Sequence, residues 1–97
     1  MITIRRNVTK QCPYKAEIDI GELVITLPGD APELHGLARL VEAVAETQIS
    51  HEDYTRAILA ILPEGASVLT RWRTGPWSVE VREGSDLLRE PVNPAGA

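Results

Sequence analysis

Three observations predict an α+β fold for this 97-residue chain, with one antiparallel sheet carrying two helices on one face. Residues alternating in polarity occupy both ends of the chain, and apolar residues at helical spacing fill the middle. Pro and Gly fall at the boundaries between these stretches. The predicted order is β-β-α-α-β-β.

Ile2 and Ile4 alternate with Thr3 and Arg5, which predicts a short first strand. Cys12-Pro13 marks a turn, and Glu17 to Leu27 predicts a longer second strand. Within it Ile18 and Ile20 share one parity, whereas Leu23, Ile25 and Leu27 share the other; Gly21 lies at the shift, where a bulge is expected. Pro28-Gly29 breaks the strand. Asp30 is the expected cap of the first helix, with Glu33 as its box partner three residues on. Leu34, Leu37, Val41 and Val44 then carry that helix to about Gln48.

Ser50 is the expected cap of a second helix, with Asp53 at its third position. Tyr54, Ile58, Ile61 and Leu62 form the apolar side, and Pro63 with Gly65 ends it. Val68 to Arg73 reads as a strand, Gly75-Pro76 as a tight turn, and Trp77, Val79 and Val81 as the inward side of the last strand. One domain spanning residues 1–83 is expected, with a loosely held tail over 84–97 in which only Leu87 and Leu88 can dock.

Hydrophobic content of 43% and charged content of 25% suit a soluble globular protein. With no Phe, two Trp and two Tyr, the core must be built from Leu, Ile, Val and Ala. Such a core buries less area per residue, which favours self-association. Open sheet edges offer one route to it. Met1 to Lys10 contains no apolar leader region, and no run reaches the length that spans a bilayer. A lone cysteine makes no intrachain disulfide, so the expected compartment is a reducing cytoplasm. A net charge of −4 argues against a dedicated nucleic-acid binder. Yet Arg5, Arg6, Lys10 and Lys15 precede the first acid, Glu17, and Arg71 and Arg73 share a later strand, which leaves room for a local basic face.

Two short segments hold the chemistry. Cys12 lies seven residues before Asp19, and Ser50-His51-Glu52-Asp53 opens a helix. A single cysteine is more commonly a small buried hydrophobe, but Gln11, Pro13 and Lys15 indicate a turn here. Lys15 adds positive charge of the kind that favours a thiolate. On the strand pattern alone Asp19 would face solvent between Ile18 and Ile20; it gains interest as a proton donor beside a nucleophile. Capping explains Ser50 and Asp53 but does not require His51 or Glu52. Glu33 is fully explained as a cap partner. Cys12, His35 and His51 are conceivable zinc ligands, but their spacing matches no compact ligand motif, and no metal is expected. Neither a phosphate-cradling glycine loop nor a serine nucleophile elbow is present.

Cys12-Pro13 with Asp19, and His51-Glu52-Asp53 at the next helix start, resemble the QueF nitrile reductases of queuosine synthesis and their shorter QueF-like relatives. The resemblance covers roughly Val8 to Arg82, with specificity in those two blocks. It implies the tunnelling fold, ββααββ, assembled into homo-oligomeric rings, pentamers that can stack as a decamer, with active sites between subunits. It further implies 7-cyano-7-deazaguanine as substrate, free or within tRNA or DNA. By the same resemblance Cys12 attacks the nitrile carbon to form a thioimide, Asp19 protonates the nitrogen, and His51 assists proton transfer. Glu52 and Glu33 are the implied substrate-binding acids. Reductases carry Glu-x-Lys-x-Leu-Lys at the first helix, where this chain has Glu33-Leu34-His35-Gly36-Leu37-Ala38, and Arg-Gly-Gly where Thr74-Gly75-Pro76 stands. A dinucleotide loses charge-assisted contacts of roughly 1.5–3 kcal/mol each without those cations. The expected outcome is therefore amidine formation with ammonia as nitrogen donor. NADPH-dependent reduction to 7-aminomethyl-7-deazaguanine is the alternative, and a non-catalytic purine-binding or ring-forming relative is a further one.

Overall fold

The computed structural model describes residues 1–46 and 48–85. Its four strands are β1 (Ile2–Gln11), β2 (Ile18–Leu27), β3 (Ser67–Thr74) and β4 (Trp77–Gly84), and its helices are α1 (Leu34–Ala45) and α2 (His51–Ala60). The strands form one antiparallel sheet in the order β1-β2-β3-β4, which makes the fold α+β with the predicted element order. Both helices cover the same face: α1 packs beside α2 and over β1, and α2 lies over β3 and β4.

The core between the layers holds Val8, Leu23, Ile25, Leu27, Leu37, Val41, Tyr54, Ile58, Val68 and Trp72. Trp72 supplies the largest buried side chain, and its ring meets that of Tyr54 edge-on at 5.2 Å between centroids. Burial also pushes the Tyr54 hydroxyl up to about 12.

Several local expectations need correction. Gly21 carries no bulge, because the β1–β2 register runs unbroken from Ile2↔Leu27 to Gln11↔Ile18. Its lack of a side chain serves packing instead: a Cβ there would lie 2.5 Å from both the Trp72 ring and the Arg71 carbonyl oxygen. Since parity is never reset, Ile18 and Ile20 turn to the helix-free face, at 66% and 65% exposure, and Asp19 turns inward. Asp30 does not cap α1. A helix begun at Ala31 would require a helical residue immediately before Pro32, which the proline ring disfavours. Glu33 takes the cap, accepting from the N–H groups of His35 and Gly36 at 3.0 and 2.6 Å.

α1 ends at Ala45 rather than Gln48, which forms a parallel bridge with Gln11. Leu34 and Trp77 remain exposed, each at the first position of its element. Gly84, expected to open the tail, closes β4, and the N–H of Ser85 donates to the Ala66 carbonyl. The expected tail beyond Ser85, with Leu87 and Leu88, lies outside the described residues. Among the described residues no helix is long and apolar enough to cross a membrane.

Candidate active site

The β1–β2 connection and the first turn of α2 meet at one end of the sheet. The N–H of Cys12 donates to the Glu17 carbonyl at 3.0 Å, closing the turn that Pro13 starts. Ile49 N–H donates to the Gln11 carbonyl, which ties the segment before α2 to the same end of β1. Ser50 then caps α2 by accepting from the N–H of Asp53 at 3.1 Å. Between these segments lies a cleft of about 510 Å³ whose lining includes Cys12, Asp19, His51 and Glu52.

A buried polar chain holds His51. The indole N–H of Trp72 donates to Thr70 Oγ1 at 2.9 Å, the Thr70 and Thr55 hydroxyls lie 2.7 Å apart, and Thr55 donates to the His51 carbonyl at 2.8 Å. Because the Thr55 proton goes to His51, the Thr70 hydroxyl must donate to Thr55, and the chain runs in one direction. The His51 ring also stacks on Trp72, nearly parallel, at 5.0 Å between centroids. Its Nε2 lies 3.4 Å from Thr74 Oγ1, and its Nδ1 is buried without a hydrogen-bond partner among the described residues. Burial, then the nearby Lys10 charge, pull its pKa below the ordinary 6.5, while Asp19 and Glu52 push the other way. Neutral imidazole, able to accept a proton, is the form this favours near pH 7.

Asp19 is 15% exposed at its side chain and accepts from Lys10 Nζ at 2.7 Å. The lysine side chain is fully buried. Sequence reasoning missed Lys10 as a site residue, although Ile2, Ile4, Val8 and Lys10 share one parity and thus one sheet face. It likewise placed Trp72 only within the hairpin, whereas its ring is the wall against which His51 stacks.

Glu33 is not brought to this cleft. It caps α1, and its Oε1 also lies 3.0 Å from His35 Nδ1, with both side chains in solvent. Two N–H donors and the histidine hold its carboxyl below the usual range. Among the described residues no group of three His, Cys, Asp or Glu side chains is arranged to hold a metal ion.

No protein-family model, curated protein or solved structure matches this chain significantly.

Proposed function

We propose that this chain is a tunnelling-fold enzyme that captures the nitrile of 7-cyano-7-deazaguanine through Cys12. The observation that carries the reading is that Cys12, Asp19, His51 and Glu52, drawn from a turn, a strand and a helix start, all line one cleft. In the proposed step the Cys12 thiolate adds to the nitrile carbon, a carbon–sulfur bond forms and one C–N π bond opens. The proton released by the Cys12 thiol, taken up by neutral His51, passes by way of the Asp19 carboxylate to the nitrogen, leaving a thioimide. Neutral His51 is suited to accept the thiol proton or to relay one, and Glu52 to accept hydrogen bonds from the amino-pyrimidine edge.

Amidination is the favoured discharge. Ammonia adds to the thioimide carbon, the carbon–sulfur bond breaks, and the sulfur leaves as the regenerated thiol. The missing first-helix lysines support this over reduction, which requires two successive hydrides from NADPH. Lys15 and Arg73 both line the cleft, and exposed Tyr14 offers a ring beside them. Cations flanking an exposed aromatic suit a base carried on a polynucleotide. The same cations are the feature that keeps the NADPH reading in view.

Ring assembly by pairing of β1 to β4 between copies belongs to the same proposal. β1 and β4 are the two outermost strands of the sheet, and Ile18 and Ile20 stand exposed on the helix-free face.

Intact-protein mass after incubation with 7-cyano-7-deazaguanine, free or within tRNA, tests the chemistry. Wild type is expected to gain the adduct, Cys12→Ala to lose it, and ammonium rather than NADPH to discharge it. Absence of any adduct with both forms of the base would sink the nitrile reading in favour of a binding or assembly role.

A further inference from the structure

Lys10 is a buried charge that the step above leaves without a role. Its Nζ donates to Asp19 Oδ2 at 2.7 Å and to the Ile49 carbonyl at 2.8 Å, and lies 4.9 Å from the centroid of the Trp72 ring. One ammonium thus touches β2, the segment entering α2, and β3. On the helix-covered face of β1 Arg6 reaches solvent beside Glu42, but the Lys10 side chain is wholly buried, so the desolvation of its ammonium must be offset by every contact it makes. A methionine or leucine would pack there without that cost. The charge itself therefore needs an explanation.

The groups around it supply one. Asp19 faces it from β2, His51 and Glu52 come from α2, Cys12, Lys15 and Glu17 from the β1–β2 turn, and Arg73 from β3. We propose that Lys10 is a positioning residue: its ammonium fixes the Asp19 carboxylate and the start of α2 in one arrangement about Cys12, and sets the charge balance that Asp19 and His51 share. The catalytic consequence rests on the nitrile reading above. The electrostatic consequence does not.

Lys10 disfavours a proton on His51 and Asp19 favours one. Neutralising Lys10 alone must therefore raise the His51 titration midpoint, and neutralising Asp19 alone must lower it. The test is an NMR titration of the His51 ring in wild type, Lys10→Gln, Asp19→Asn and the double variant, with solvent-exposed His35 as an internal control. The expected order, highest midpoint first, is Lys10→Gln, wild type, Asp19→Asn. If Lys10→Gln does not fold, the double variant is compared with Asp19→Asn and is expected to titrate higher. An unchanged or lowered midpoint in the informative pair overturns the proposal.

Adduct formation is then timed in Lys10→Gln and Lys10→Arg. A loss of about a hundredfold is expected in the first, with partial recovery in the charge-preserving second. Shifted midpoints in a protein whose wild type forms no adduct would remove the nitrile reading and keep the role of Lys10. Adduct formation at the wild-type rate with unshifted midpoints would do the reverse.

Discussion

The two helices start alike: Glu33-Leu34-His35 opens α1 and Ser50-His51-Glu52 opens α2. At α1 the carboxylate is itself the cap, the histidine ring leans back on it, and both remain in water at 67% and 93% side-chain exposure. At α2 the cap is a serine hydroxyl, which leaves the histidine and the acid free of capping duty. The second difference lies outside the helices. Trp72 and the Lys10–Asp19 pair stand beside His51, whereas among the described residues the His35 ring meets only Glu33. A histidine and an acid at a helix start thus become a candidate site only when another residue does the capping and other strands supply a wall.

The sharpest way to break that contrast is to remove the wall. Trp72→Ala is expected to cost about 3–5 kcal/mol, read by urea denaturation, because it empties the centre of the core. In whatever fraction stays folded, the His51 ring resonances should move toward those of His35 as the stacked indole disappears.

A smaller cut leaves the wall and severs its link to the helix. Thr70→Val strands the Trp72 indole N–H and removes the donor to Thr55, for an expected loss of about 1–3 kcal/mol. Hydrogen exchange at the start of α2 should speed up more than at the start of α1.

The mildest changes address the caps and the control histidine. Ser50→Ala removes the hydroxyl that binds the Asp53 N–H and is expected to cost about 1 kcal/mol by denaturation. His35→Ala should stay within about 0.5 kcal/mol of wild type, since that side chain is largely in solvent and its ring nitrogen lies beside Glu33. A large effect at His35 would erase the distinction between the two helix starts.

The element order was legible because both periodicities were strong: Leu23, Ile25 and Leu27 alternate in β2, and Tyr54 and Ile58 recur on α2. Ser50 was legible as a cap because its side chain acts within its own first turn. The displaced cap at α1 was also local chemistry, since Pro32 restricts the residue before it. The assumed bulge at Gly21 was not open to the same reasoning. Its apolar parity change has two solutions, a reset strand or a pair of exposed isoleucines, and the unbroken pairing to β1 selects the second.

The candidate site divides along the same line. Composition and spacing alone determined that one thiol, one acid, one imidazole and one further carboxylate were available in two short segments, because residue type and chain distance are properties of the sequence. Their meeting in a single cleft, the inward turn of Asp19 and its pairing with Lys10, and the stacking of His51 on Trp72 were decided only by tertiary structure. Each of these depends on strand register and on which helix covers which strand. Register slipped by one residue sends every side chain of a strand to the opposite face, so the pattern within a single strand cannot by itself say which charge meets which.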